Sequence, residues 1–385
     1  MQKELPPRVG PALYIHIPFC VRKCHYCDFV SYPGQAPGVM AAYGRDLAKE
    51  MALVDTRWQP GPAATVYLGG GTPTLLPGVE LEAVLGAVAR TFGWQSGAEI
   101  SMEANPGTVD TAKLQALRAA GVNRLSLGAQ AFDDALLKAM GRIHRRQDIY
   151  QAYHLARRAG FNNINLDLIF GLPGQTLASW RATLKEALAL QPEHMAVYSL
   201  QVEEGTFWGD LAAAGELALP GEELELAMYQ AARERLAAAG YQQYEISNFA
   251  RPGYECHHNL TYWLNHPYLG LGAAAASSWQ GRRWRNYDDL GQYRAALSAG
   301  LLPRAEIDTL TRHQQMAETM FMGLRLIAGV DLEAFRRRFG VDARVVYARE
   351  LTRLYQVGLV EERGGHLRLT EKGLPLANVV FVEFV

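Results

Sequence analysis

The chain has little of three things. It carries only four cysteines in 385 residues, and its 38 basic residues are matched by 39 acidic ones. No apolar run approaches the ~18–20 residues that a bilayer-spanning helix needs. The scarcity of cysteine, with three of the four clustered, excludes a disulfide framework and points to a reducing compartment. The missing apolar run excludes a transmembrane helix. The segment Met1–Pro7 also lacks the apolar core of a secretory signal, so the cytoplasm is expected, with peripheral membrane contact left open. Balanced charge excludes a protein whose affinity for a polyanion rests on bulk charge. What remains, a chain about half apolar, is long enough for a large core and more than one domain.

The cysteines that are present are concentrated. Cys20, Cys24 and Cys27 stand at CxxxCxxC spacing, directly after the apolar segment Leu13–Ile17. Three thiolates so spaced can wrap one face of a cubane iron–sulfur cluster and leave one iron without a protein ligand, whereas electron-transfer clusters usually take four cysteines. The open iron suggests binding of a substrate or cofactor. Three buried structural cysteines, or a zinc site with His16 or His25 as fourth ligand, are the plainer readings.

Short apolar runs alternate with longer amphipathic ones across the first 200 residues. Strands are predicted at Leu13–Ile17, Thr65–Leu68, Glu99–Glu103, Arg124–Leu127, Asn163–Ile169 and His194–Ser199. Helical patterns such as Asp110–Ala120 and Asp148–Ala159 stop at Gly121 and Gly160. Six strand–helix repeats imply a parallel sheet, and the polar motifs follow the strands, where a barrel's C-terminal rim places active sites. The predicted fold is α/β, a partial (β/α)6 TIM-like barrel over residues 1–205. Residues 206–300 hold ten aromatics between Tyr241 and Tyr287 with little periodicity, and read as an extension that packs on the barrel and completes a cleft. Residues 301–385 read as helices at Thr311–Leu326, Asp331–Phe339 and Ala343–Val357, then a hairpin of Leu359–Glu362 and His366–Leu369 around Gly364-Gly365, a winged-helix-like domain. Asp331–Val385 contains nine basic and eight acidic residues, so a docking or structural role is expected there in place of nucleic-acid binding.

Tyr14-Ile-His-Ile-Pro-Phe-Cys20, with Cys24 and Cys27, resembles the radical S-adenosylmethionine (SAM) superfamily. Within it the chain resembles the oxygen-independent coproporphyrinogen oxidase group (HemN) and its haem-chaperone relative HemW, over almost its whole length. The resemblance implies a [4Fe–4S] cluster on Cys20, Cys24 and Cys27 whose open iron binds SAM, and it adds Tyr14 and Tyr26 to the cofactor-binding set. Gly69-Gly70-Gly71-Thr72-Pro73 resembles the motif for the SAM amino group, which assigns that role to Gly70, Gly71 and Thr72. Glu103, in Met102-Glu-Ala-Asn-Pro106, matches the family's ExNP motif. Gln130, Arg142 and Asp167 fall where the family touches SAM or a second SAM-like ligand, and Arg142 suits a carboxylate. Without the resemblance, a glycine run is also a tight turn, and Asp167 also a barrel-interior carboxylate paired with a base.

Two features separate the branches. The oxidases carry a fourth cysteine two residues after the third, where this sequence has Phe29. Only nineteen residues precede Cys20, which leaves little room for the oxidases' longer N-terminal segment. His258-Asn259-Leu260-Thr261-Tyr262-Trp263 matches the HNxxYW motif of the chaperone branch. An imidazole flanked by aromatic faces suits haem, with His258 the expected axial ligand in an accessible site and Cys256 or His257 as alternatives. A structural histidine in an aromatic cluster is the plainer reading. The expected function is a haem chaperone that passes haem to acceptor proteins. The alternative is a radical SAM enzyme acting on a porphyrinogen, and a DNA-binding iron–sulfur regulator is a weaker third.

Overall fold

The computed structural model describes residues 10–385. The Met1–Pro7 reading therefore lies outside the described residues. Seventeen strands follow one another: β1 (Ala12–Ile17), β2 (Phe19–Cys20), β3 (Tyr32–Pro33), β4 (Ala63–Gly70), β5 (Trp94–Ala104), β6 (Arg124–Gln130), β7 (Ile164–Phe170), β8 (His194–Ser199), β9 (Gln242–Gln243), β10 (Asn248–Ala250), β11 (Tyr268–Leu271), β12 (Ala276–Trp279), β13 (Arg282–Asn286), β14 (Arg304–Thr309), β15 (Val330–Asp331), β16 (Val360–Arg363) and β17 (His366–Leu369). Twelve of them form one sheet in the order β14–β13–β12–β11–β1–β4–β5–β6–β7–β8–β10–β9.

The six predicted strands are β1 and β4 to β8, adjacent and parallel throughout. Each is followed by a helix on the outer face, as a parallel crossover requires. Helix Thr111–Ala119 starts on Asp110, whose carboxylate caps the Lys113 N–H, and the chain then turns at Gly121 in the left-handed region, φ 102°. Leu114 and Leu117 point inward from that helix onto the sheet. The strands are apolar toward the helices and carry Thr65, Ser101, Arg124, Ser126, Asn165 and His194 on buried positions. Those polar groups line the concave interior.

The aromatic extension differs from expectation. It does not merely lie against the barrel; it lengthens the sheet at both edges. β10 pairs antiparallel with β8, and β11 pairs parallel with β1. An exposed edge leaves a row of backbone donors and acceptors unpaired, and these strands cover both. The sheet stays open, and the helix His257–Trp263, between β10 and β11, lies against its concave side. β14, at Arg304–Thr309, also belongs to this sheet.

A second core begins in the helix Arg312–Gly323 and gathers Met320, Phe335, Leu351, Leu367 and Phe384. The hairpin β16–β17 turns at Gly364 and Gly365, both with positive φ, and β15 completes a three-stranded sheet, as a winged helix requires. The single helix predicted over Ala343–Val357 is two, Ala343–Val346 and Ala348–Gln356. Tyr347 breaks it with φ −112° and ψ 31°, its side chain buried in the second core.

Candidate functional site at the strand C-termini

The cysteine loop leaves β1 through β2 and crosses the C-terminal rim of the sheet. It is pinned at both sides. Tyr32 N–H donates to Pro18 O and Gly34 N–H to Cys20 O, while His25 N–H donates to Met140 O and Arg22 Nη2 to Gly141 O at 2.7 Å. All three cysteines are half-buried. Burial raises the thiols of Cys20 and Cys27, the latter to about 11, and the neighbouring sulfurs push in the same direction. Thiols raised in this way, as Cys20 and Cys27 are, need a nearby cation to become thiolates. Among the described residues no three ligating side chains form a compact single-ion cage. A cubane holds its ligands farther apart than one ion does, so the loop suits a cluster better than zinc. His16 and His25, the two candidates for a fourth zinc ligand, spend ring nitrogens on Val30 O (3.1 Å) and Ala139 O (2.8 Å).

Beneath the loop a polar chain joins two of the cysteines. Cys20 Sγ lies 3.8 Å from Thr72 Oγ1, which accepts from Asn105 Nδ2 at 2.7 Å. Asn105 Oδ1 accepts from Arg142 Nη2, and Arg142 Nη1 donates to Cys24 Sγ at 3.6 Å. Asn105 is thus the hub between the loop after β4 and the segment after β6. It was not among the candidates from sequence, although it is the Asn of the ExNP motif. Arg142 also donates to Gly128 O at 2.7 Å. A Cβ at Gly128 would fall 2.8–3.0 Å from the side-chain ends of Asn105, Arg142 and Gln130, so a larger residue there would displace this cradle. Gln130 itself holds φ 63°, a left-handed backbone that is uncommon outside glycine and collects at functional sites.

The glycine run has a packing reason as well. Gly70 sits at φ 106°, and a Cβ there would meet the His16 ring at 2.3 Å. Gly71 and Thr72 donate their N–H groups to Ile17 O and Phe19 O, tying this turn to the cysteine loop. Glu103 accepts from Tyr67 OH at 2.9 Å and from Gly70 N–H at 3.1 Å. Burial, with the charge of Asp167 adding to it, pushes Glu103 up to about 7. Asp167 is also raised by burial, against hydrogen bonds from Asn165 (2.7 Å) and Ser126 (3.1 Å). Tyr26 lies beside Arg142 and Trp208, and Tyr14 stacks on Tyr67 with ring centroids 6.3 Å apart. Cysteines, glycine turn, Glu103, Gln130, Arg142 and Asp167 therefore share one rim. Their donors, acceptors and strained backbone suit a zwitterionic ligand above a cluster.

His258 is not on that rim, and its expected accessibility is corrected. It is 1% exposed, and both ring nitrogens are engaged, Nδ1 with Thr65 Oγ1 at 2.9 Å and Nε2 with Tyr262 OH at 3.0 Å. Burial lowers its pKa to about 4. No ring nitrogen is left for iron. Cys256 is equally sealed, its thiol pushed up to about 12 by burial and aimed at Glu99. The backbone N–H groups of His257 and His258 both donate to Glu99, at 2.9 and 3.2 Å. The motif is the anchor by which its helix closes the concave side of the sheet. Tyr262, whose hydroxyl meets His258, also lines a cavity of about 340 Å³ together with Tyr14, Asp28, Phe29, Tyr268 and Arg285.

The comparisons with known proteins agree with this geometry. The radical SAM superfamily matches residues 14–187 and the HemN C-terminal domain matches residues 310–376. The chain is 40% identical to the heme chaperone HemW of Bacillus subtilis over 97% of its own length and 98% of that protein's. The chain belongs to the HemW family. It is also 40% identical to the Escherichia coli HemW, over 71% of this chain and 70% of that one. The solved coproporphyrinogen III oxidase (HemN) of Escherichia coli, a radical SAM enzyme, superposes with a TM-score of 0.86 at 26% identity, covering 97% of this chain and 90% of that chain. As a radical SAM member of the HemW family, the chain has a [4Fe–4S] cluster and SAM as its cofactors. Among the described residues no helix is long and apolar enough to cross a membrane.

Proposed function

We propose that this chain is a haem chaperone, which binds haem and passes it to acceptor proteins. The observation that carries the reading is near-full-length similarity to proteins named for that function, at 40% identity in the Bacillus subtilis case. Cys20, Cys24 and Cys27 hold the cluster, with Arg142 Nη1 donating to Cys24 Sγ. Gly70, Gly71, Thr72, Glu103, Gln130 and Asp167 bind SAM, and Tyr14 and Tyr26 wall its site. The cluster, when bound, supplies an open iron and a one-electron couple. The residues of this chain hold that group, exclude water around it and neutralise its ligands.

The runner-up is a radical SAM enzyme acting on a porphyrinogen, favoured by the HemN-like fold. Phe29 argues against it. It stands where the oxidases carry a fourth cysteine, and it is 58% exposed on the cavity side of the loop. An apolar group cannot do the work of that thiol. The reading includes no nucleic-acid partner, since several C-terminal arginines pair with nearby carboxylates, as in Arg344–Glu362 (2.8 Å) and Arg336–Glu333 (3.1 Å). The exposed Val379, Val382 and Val385 offer an apolar strip for an acceptor or a membrane surface in the cytoplasm.

The test combines two assays on anaerobically reconstituted protein. Haem titration is expected to saturate near one haem per chain, and coproporphyrinogen III with reductant and SAM is expected to yield no protoporphyrinogen IX at turnover. Absence of saturable haem binding would overturn the chaperone reading, and turnover would restore the enzyme.

A further inference from the structure

β14 stands at one end of the twelve-stranded sheet, so one of its edges has no strand beside it. All of its residues after Arg304 are exposed, so no helix or loop covers that edge. Such an edge presents a row of unpaired backbone N–H and C=O groups. The two faces of the strand differ in charge. A register shift between Arg285 and Asn286 of β13 leaves Ala305 without a partner and turns Arg304 to the face that carries Ile307. On that face Trp284 of β13 stacks on Trp58, the last residue of the helix Pro37–Trp58, with ring centroids 5.0 Å apart. The Arg304 guanidinium lies 5.6 Å from the Trp284 centroid and 5.7 Å from that of Trp58, and Arg57 lies 5.8 Å from Trp58. Arg282 stands two residues before Trp284 on the same face. Burial lowers the pKa of Arg304, and the charges of Arg57 and Arg282 push the same way. Among the described residues none of these three arginines makes an ion pair or a side-chain hydrogen bond. The opposite face carries Glu306 and Asp308, which stand in register with Arg285 and Arg283.

We propose that β14 is a docking edge, which takes an extended segment of a partner protein as a further strand, with carboxylates at alternate positions lying on Arg57, Arg282 and Arg304. Three guanidiniums gathered without a counter-charge suit carboxylates, and the tryptophan pair holds them in place before the partner arrives. The alternation follows from the pleat. Every second side chain of the added strand meets the arginines, and those between fall beside Glu306 and Asp308, where a further carboxylate would be repelled. Ile307, 50% exposed on the arginine face, adds apolar contact. A second copy of the chain is the poorer occupant. Paired antiparallel about a two-fold axis, it would lay its own three arginines on the same face as these. The docking edge needs neither the cluster nor haem, so it stands apart from the chaperone reading.

The test is fluorescence anisotropy of the reconstituted full chain with a short labelled peptide of alternating glutamate and threonine. One control peptide has the same composition with its glutamates in a single block, and another carries glutamine in place of glutamate. The alternating peptide is expected to bind saturably and at least about tenfold more tightly than either control. The double variant Arg282→Gln, Arg304→Gln should lose at least about tenfold in affinity for it, with a cooperative melt and full iron content showing that the variant is folded. Arg57→Gln, at an exposed helix end, should lose part of the affinity without touching the sheet. No saturable binding of the alternating peptide by wild type, equal affinity for the block peptide, or undiminished affinity in both variants overturns the docking edge. A wild-type dimer that Ile307→Lys dissociates in sedimentation would assign the edge to a second copy and overturn the proposal. Tighter binding of a single-stranded oligonucleotide with the same arginine dependence would overturn it too.

Discussion

Replacing Glu99 by Gln tests whether the HNxxYW helix is held as the geometry indicates. Glu99 is 7% exposed and accepts from two backbone N–H groups and the Cys256 thiol, with Ser101 at 3.2 Å. Burial alone would raise its pKa, yet Arg124, His257 and those N–H groups hold it below the ordinary value of 4.5. Arg124 is itself 2% exposed, and its Nε has no partner among the described residues. The amide keeps the shape and removes the charge, so Arg124 loses one of the negative groups that offset its burial. Among the described residues no ion-pair contact joins the two, so the cost lies below the about 3–5 kcal/mol of a broken buried salt bridge, at about 2–3 kcal/mol. In a chain of this size each kcal/mol is worth roughly 2 °C, so the melting temperature should fall by roughly 4–6 °C. Adding Arg124→Met should recover about 1–3 kcal/mol, because the orphaned charge is then gone. The sign with pH follows from the lowered pKa: the contribution is present above 4.5 and fades as pH falls through the depressed folded value. The assay is thermal unfolding of the four proteins of the cycle at neutral pH. A Glu99→Gln melt within 2 °C of wild type, or strict additivity with Arg124→Met, would refute the reasoning.

Three further outcomes are expected. Alanine at Cys20, Cys24 or Cys27 should each abolish the cluster; full iron and sulfide in all three variants would sink the assignment. Asn105→Ala removes the hub between Thr72 and Arg142 and should weaken SAM binding about tenfold while the cluster persists, as read by equilibrium binding against iron analysis; unchanged SAM affinity would count against the network. Glu103 is raised to about 7, so the stability it contributes is present below 4.5 and lost as pH rises through 7. Glu103→Gln should flatten the pH dependence of unfolding across that window, and an unaltered profile would remove Glu103 as its source.

Much of the catalytic-looking rim was legible from residues alone. Strand and helix signals from Leu13 to Ser199 are local and periodic, and a parallel sheet places every strand C-terminus on one edge. Once β4, β5 and β6 are adjacent, Thr72, Glu103 and Gln130 must be neighbours. Asn105 escaped because its role is a juxtaposition: it joins Thr72 to Arg142, 33 and 37 residues away. The break at Tyr347 escaped because a buried aromatic in the second core overrode a helical pattern.

Composition and spacing by themselves determined the cysteine triad, the six-strand repeat and the neutral C-terminal unit, because these depend on short-range chemistry and period. Only the tertiary structure decided what His258 is for. An imidazole beside tyrosine and tryptophan reads the same whether it faces solvent or a core, and the difference was made by Thr65 and Glu99, which lie 193 and 159 residues away in sequence. They fix the helix against the concave sheet and seal the histidine.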